Sequence, residues 1–498
     1  MEDISHVETT DEKPRVRNLG TVRLRRHGTH EIILVPTPSN DPNDPLNWSK
    51  PYRWYIAALT CLAMFLAQFL AAGPSVAMIR IVIDLFGTPP KSPSFPDSIS
   101  KASYFFTGVA FVQGMVNLFS MPIIIKFGRR PVYVVSFLIY GAASLWCGRA
   151  NSFASELCAR LLLGLAGGSA ETLAPLTIAD IFFLHERGLV MGLYSAAVSA
   201  GTGGGILISG LITINQSWRV IYYIITALTW SLVLAIIFTM PETAYARNAI
   251  RASDLDREEF ESEAIKEYAT TLEEARSQEN VPAKKSYVQQ LKLFNSVLTK
   301  EPFFKLLWRP VPLLLLPAVL WGMLTLSVMV SAAVAISSNF AAAFAITYGW
   351  SSWQSGVAWS ANVIGALIGV AGGGWLSDKS ADFLTKRNDG IREAEMRLPI
   401  VTLSLIASPL ASVLYGVGLD QKLHWIVPVL SLGFCESPTV LFFTESDKLT
   451  GREVGFAITL GVNSVVVYII DAYRPIAGEA IVAMLSFKGK FSAPVIST

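Results

Sequence analysis

Charge is what this sequence is short of. Of its 498 residues only 16% are Asp, Glu, Lys or Arg, while 52% are hydrophobic and the mean hydropathy is +0.45. A soluble domain carries roughly a quarter charged residues, so the composition argues against one. Histidine (5) and cysteine (4) are also scarce. Cys61, Cys147, Cys158 and Cys435 lack metal-ligand spacing, and Cys147 and Cys158 either pair across one short loop or stay as buried thiols. There is no P-loop, no His/Cys/Asp cluster and no Gly-x-Ser-x-Gly elbow. Nothing therefore points to an enzyme, a metal or another cofactor, and a self-contained ATP-driven pump is excluded. No basic stripe alternates with aromatics, so nucleic acid has no support as a partner, and a net charge of +2 says little about others. Met1 to Lys50 contains no apolar run of the kind a cleaved secretory signal needs, so the first membrane helix is expected to target the chain.

What charge exists is crowded into the first 53 residues, a stretch from about 242 to 309, and short loops. Between them lie apolar runs of bilayer length, which takes roughly 20 residues of helix. Hydrocarbon offers the backbone no hydrogen-bond partner, so such runs must be helical. The runs are Tyr55 to Met78, Tyr104 to Ile125, Val132 to Cys147, Leu157 to Leu184, Leu189 to Ile214 and Val220 to Met240. After the polar middle come Pro312 to Ile336, Ser355 to Leu376, Leu398 to Val417, Trp425 to Phe443 and Gly455 to Ile470. The expected fold is an all-α integral membrane bundle of two halves, six helices and then an apparently incomplete set.

This divides the chain into a polar tail (1–53), a six-helix bundle (54–240), a charged linker (241–310), a second bundle (311–487) and an atypical short tail (488–498). The linker is read as a tether, with Asp254 to Glu279 an acidic, solvated helix. Lys126, Arg129, Arg130, Arg187, Lys379, Lys386, Arg387, Arg392 and Arg397 fall in alternate loops. Positive loops stay cytoplasmic, so the N-terminus, with Arg15, Arg17, Arg23, Arg25 and Arg26, is placed there too. Asn215-Gln216-Ser217 is a weak glycosylation sequon on a loop too short to hold it clear of the bilayer.

Ionisable residues inside membrane helices are costly, so each is a candidate for function. Arg160, Glu171 and Asp180 lie on the fourth run. At 100° per residue Glu171 falls about 20° from Arg160 around the helix and about 16 Å along it, and Asp180 about 180° from Glu171. Glu171, the deepest, reads as a proton or cation site, or else as a structural acid bonded to a nearby Ser, Thr or Tyr. Arg160 either works in the pathway or snorkels to water. Asp180 reads as part of a cytoplasmic cluster with Arg187 or Arg129. Gly164, Gly168, Gly201, Gly205 and Gly210 suit close helix packing, which alternating access also needs. Trp350, Trp353 and Trp375 suit interfacial anchoring, whereas Trp321 and Trp359 could line an apolar cavity.

Several short motifs add a resemblance. Asp41-Pro42-Asn43-Asp44-Pro45-Leu46-Asn47-Trp48-Ser49 resembles the segment before the first helix in fungal drug:proton antiporters of the major facilitator superfamily. Lys126-Phe127-Gly128-Arg129-Arg130-Pro131 and Gly374-Trp375-Leu376-Ser377-Asp378-Lys379 resemble that family's loops between the second and third helices of each half. Arg160-x-x-x-Gly164-x-x-x-Gly168 is similar to its fourth-helix motif. Glu171-Thr172-Leu173-Ala174-Pro175 through Asp180 and His185-Glu186-Arg187-Gly188, then Asp471-Ala472-Tyr473-Arg474 and Ala477-Gly478-Glu479, resemble fungal variants. The likeness runs from about residue 30 to residue 487.

It implies a twelve-helix secondary transporter, monomeric in the bilayer of a fungal plasma membrane, that exports a hydrophobic drug or secondary metabolite in exchange for protons. A proton-coupled nutrient importer and a transport-deficient, sensor-like member are the alternatives. It further implies gating roles for Gly128, Arg129, Arg130, Asp378 and Lys379, and proton coupling through Arg160. The sequence departs from the pattern at Met121 and Ile125, where the family expects Gly and Asp, and its fifth helix lacks the motif's proline. Cys435 to Glu453 reads as an insertion into one helix formed by Trp425 to Phe434 and Val454 to Ile470. Gly489-Lys490 is what a retained splice donor would encode, so both the insertion and the tail are expected to be translated introns.

Overall fold

A computed structural model of the chain describes residues 38–39, 41–89, 92–245, 283–294, 299, 301–365, 383–384, 387, 410–436 and 483–484. Every regular element among them is helical. The first is a short turn at Pro45–Asn47, capped by the Asp44 carboxylate on the Leu46 N–H. Then follow α1 (Lys50–Ala72), a tight helical turn at Gly73–Ala77, α2 (Met78–Phe86), α3 (Phe95–Phe127), α4 (Arg129–Arg149), α5 (Phe153–Ile181), α6 (Leu184–Ile212) and α7 (Arg219–Thr239).

With α1 and α2 taken as one bent span, these make six helices long and apolar enough to cross a membrane. They match the first six apolar runs; the first three extend beyond them at both ends, and the next three begin earlier and stop one to three residues short. At 33 residues, α3 extends about 50 Å, well beyond a hydrocarbon core of about 30 Å. The first run does not end as one helix at Met78. Pro74 lacks the N–H an α-helix needs, and the chain tightens there before continuing as α2.

α3 packs on α5, α1 on α6, and α4 on both α5 and α7. Packing on several sides needs apolar surface on several sides, which is why the long helices α1 and α3–α7 show no single clean apolar stripe. Outward-facing Leu62, Phe119, Leu138, Trp146, Leu234 and Phe238 remain exposed, as a chain solvated by lipid allows. One end of the bundle, the basic end, gathers Lys126, Arg129, Arg130 and Arg187. The far end carries residues 73–86 and the turn at 213–218, where Asp84 Oδ2 accepts from Trp218 Nε1 (2.8 Å) and Arg219 Nη1 (3.0 Å).

In the second half the expected run Pro312 to Ile336 is broken. Helices Phe303–Leu313 and Pro317–Val328 meet at 86°. Pro310, Pro312 and Pro317 interrupt the donor ladder, and Pro317 restarts it at a first-turn position, where its missing N–H does no harm. The helix then runs on to Tyr348, past the polar Ser337-Ser338-Asn339. The two serine hydroxyls bond back to the Val334 and Ala335 carbonyls, so their polarity does not interrupt the span.

Helix Ser352–Ala358 opens the next run and breaks at Trp359, and helices Leu410–Asp420 and Ile426–Glu436 follow. The linker helix expected at Asp254 to Glu279, the loop with Asp378 and Lys379, Trp375, residues 437–453, the late motif from Asp471 to Glu479 and the tail after 487 lie outside the described residues. Cys61, Cys147 and Cys158 are free thiols. Cys147 is buried, but Cys158 is exposed on the outside of α5, so the expectation of buried thiols fails there.

Candidate functional site: a polar core in the first helix bundle

α5 carries the three expected ionisable residues, and each finds a different environment. Glu171 is 4% exposed. Its Oε1 accepts from Gln68 Nε2 of α1 (3.1 Å) and Gln113 Nε2 of α3 (2.9 Å), and its Oε2 from Asn117 Nδ2 of α3 (3.1 Å). Thr172 donates to Asn117 Oδ1 (2.8 Å), fixing that amide's orientation. Carboxamides from two neighbouring helices supply these donors. An amide presents a donor and an acceptor on one rotatable plane, so such a cage can bond a carboxylate and, after a flip, a carboxylic acid.

Arg160 does not snorkel. It is 1% exposed, its Nε donates to Glu156 Oε1 at 2.8 Å one turn away, and its Nη2 donates to the Tyr222 hydroxyl on α7. Tyr222 in turn donates to Glu156 Oε1 (3.0 Å). The guanidinium lies over the rings of Phe106 (4.7 Å), Phe105 (5.5 Å) and Tyr222 (5.6 Å). Glu156 is wholly buried. Sequence reasoning passed over it because Glu156 sits in the first turn of α5, where an acid reads as ordinary helix-end chemistry.

Arg160 and Glu171 both face α3, as their angular spacing requires, and between them Gly164 and Gly168 bring the backbones together. A Cβ on Gly164 would lie 2.8 Å from the Val109 carbonyl oxygen, and one on Gly168 would lie 2.6 Å from that of Gln113. Gly201 and Gly205 of α6 do the same against Phe65 and Phe69 of α1, at 2.6 and 3.0 Å from backbone atoms. At the far end Gly210 meets Gly356 of the second half, each built Cβ falling 2.8 Å from the other's Cα. Ser355 Oγ and Asn362 Oδ1 along this seam are buried with no hydrogen-bond partner, as is Ser209 Oγ, which faces Gly73. Gly356 and Asn362 have no signature in sequence, because their pairing depends on how the halves meet. Asn215 sits on the exposed turn at the same end. Trp359 is 3% exposed and packs edge-on against Phe340 at 5.6 Å, whereas Trp353 is exposed.

At the basic end Asp180 pairs with Arg129 (2.9 Å), one of its two expected partners. Arg187 donates to the Ala179 and Phe182 carbonyls. Arg53 pairs with Glu186 (3.1 Å). The Glu242 carboxylate accepts from the backbone N–H groups of Arg129 (2.8 Å) and Arg130 (3.2 Å) at the start of α4, and from Ala244 N (2.9 Å). Gly128, at φ 95, makes the turn that aims those N–H groups at it. An acid expected at Ile125 is missing, yet this end still carries two carboxylates on Arg129. Below it the tail motif grips the linker. Tyr245 donates to Asp41 Oδ2 (2.9 Å), and the Asn43 amide bonds Ala283 O (3.3 Å) and Lys285 N (2.9 Å). Partial burial raises the Tyr245 pKa above the usual tyrosine value, which keeps that hydroxyl a donor.

Comparison with known proteins fits this architecture. The family model described as Major Facilitator Superfamily matches residues 60–469. The MFS transporter cpaT of Aspergillus oryzae is 27% identical over 485 residues, covering 95% of this chain and 91% of that protein. An uncharacterized MFS-type transporter of Schizosaccharomyces pombe, C1271.10c, is 26% identical, with 94% and 81% covered. Efflux pump FUB11 of Gibberella moniliformis is 24% identical, with 93% and 69% covered. Among solved structures, the partially occluded inward-open xylose transporter XylE from E. coli superposes with a TM-score of 0.54 at 12% identity, covering 90% of this chain and 92% of its own, which is a likeness of fold alone. A match over most of the chain and a bundle built in the same way lead to one conclusion: this protein belongs to the major facilitator superfamily and is a multi-pass membrane transporter of small molecules, not an enzyme.

Proposed function

We propose that the protein is a proton-coupled exporter of a hydrophobic small molecule, acting as a monomer in a fungal plasma membrane with its N-terminus and basic loops in the cytoplasm. The observation that carries this reading is Glu171, an acid buried where α1, α3 and α5 meet, in a cage of amides able to bond it with or without a proton. An ionisable group kept inside a membrane bundle at such cost is expected to serve transport. Charge on Glu171 then differs between loaded and unloaded states, and the bundle responds to that charge. Arg160 belongs to the same face of α5. Asp180, Gly128, Arg129 and Arg130, with Asp378 and Lys379 in the matching loop, form the cytoplasmic gate region.

At the far end the two halves touch at Gly210 and Gly356 and along residues 73–77. Glycine-lined crossings let the halves close by backbone contact and part without unlocking side chains. Export, rather than uptake, draws support from a relative named as an efflux pump. The test is flux of a rhodamine dye in proteoliposomes under an imposed pH gradient. Dye movement against its own gradient, opposite to the proton flow, is expected. Movement in the same direction as protons identifies an importer, and dye movement indifferent to the pH gradient removes proton coupling.

A further inference from the structure

A second buried acid, Glu156, has no place in that account. It is wholly buried in the first turn of α5 at the far end of the bundle. All of its hydrogen bonds fall on one oxygen: Oε1 takes Arg160 Nε and the Tyr222 hydroxyl, while Oε2 is buried with no partner. Arg160 Nη1 is likewise buried and unpartnered. An ion pair taken out of water needs its remaining lone pairs and protons satisfied to hold firmly, and this one is satisfied only in part.

We propose that Glu156 is a protonation site, with Arg160 and Tyr222 as its positioning residues, distinct from the site at Glu171. The proton adds to Oε2, the oxygen that loses no hydrogen bond by accepting it, and the carboxylate becomes a neutral carboxylic acid. Arg160 stays charged. What makes that state accessible is the ring cage: Phe105, Phe106 and Tyr222 face the guanidinium within 6 Å and stabilise its charge whether or not Glu156 is ionised. The titratable groups facing the pair are Tyr222 from α7 and Cys147 and Tyr140 from α4, while α3 presents only the two phenylalanines. Glu156 lies at the end of α5 opposite Asp180. Under the export reading above, on which its use rests, protons are therefore taken up there from the outside, and loss of the Glu156 charge weakens its hydrogen bond from Tyr222, which ties α5 to α7, as the far end opens.

Infrared difference spectroscopy of the full-length protein in liposomes, stepped between neutral and acidic pH, tests the site without any transported compound. The wild type is expected to show the carbonyl stretch of a newly protonated carboxylic acid. Glu156→Gln should lose that component while Glu171→Gln retains it. Phe106→Leu, which removes one ring from Arg160, should shift its appearance to lower pH. Glu156→Asp, which keeps a carboxyl and the pair, should keep the band and so separates loss of the site from failure to fold. Identical spectra for wild type and Glu156→Gln would overturn the proposal. Because no transport is measured, that result leaves the dye-flux test of export standing on its own.

Discussion

Gln113 and Gly168 share a single crossing point of α3 and α5. The Gln113 carbonyl oxygen lies 2.6 Å from where a Gly168 Cβ would be, and the Gln113 side chain reaches from the same residue to Glu171 at 2.9 Å. Packing and chemistry are therefore coupled through one residue. Gly168→Val must push α3 away. It is expected to lower stability by about 1–3 kcal/mol, the usual cost of overpacking, read as a lower melting temperature in detergent.

Glu171→Gln should abolish the pH-driven component of dye flux while leaving dye exchange without a gradient. Gln113→Leu removes an amide donor to the acid, worth about 1.5–3 kcal/mol when the acceptor is charged, and should shift the pH profile of flux upward. The direction follows because losing a donor to the ionised form favours the protonated one. An unchanged pH profile in both variants would take Glu171 out of the mechanism.

Glu242→Ala strips the cap from the start of α4 and should cost about 1 kcal/mol, as loss of an N-cap does. Glu242→Gln keeps an oxygen acceptor and should recover part of that loss. Equal melting temperatures for both variants and the wild type would show that the cap contributes nothing.

The tail motif holds the linker by both ends, through Tyr245 on Asp41 and residues 283–285 on Asn43. Asn43→Ala together with Tyr245→Phe should speed tryptic cleavage between residues 246 and 282 severalfold, because local opening sets access for the protease. The test compares cleavage rates in inside-out vesicles, and equal rates would mean that these bonds do not restrain the linker.

Gly356→Val places a branched side chain where Gly210 Cα now lies within 2.8 Å of a built Cβ. The closed far end should become less populated. Ser209→Cys, in a chain whose Cys61, Cys147, Cys158 and Cys435 are replaced, should then be labelled faster from outside by a membrane-impermeant maleimide. Unchanged labelling would show that the seam is not a gate.

Much of the fold was legible because the solvent is hydrocarbon. Runs such as Val220 to Met240 had no alternative to helix, and α7 spans Arg219–Thr239. The proline-broken start of the seventh run was not legible, since a window of apolar residues carries no sign of an 86° bend. Arg160, Glu171 and Asp180 stood out as charges in apolar surroundings. Gln68, Gln113, Asn117 and Tyr222 did not, because uncharged polar residues are common in membrane helices and become partners of Glu171, or of Arg160 and Glu156, only when helices converge.

By itself, then, the sequence determined that the chain crosses a membrane in many helices, which loops are basic, and which family motifs it carries, because these depend on the residues' own transfer energies and order. Tertiary structure alone decided that Tyr222 joins Arg160 and Glu156, that Glu171 rests among amides, and that Gly210 meets Gly356. Those outcomes depend on which side chains two helices bring within about 3 Å, the reach of a hydrogen bond, and no period along a single helix encodes that.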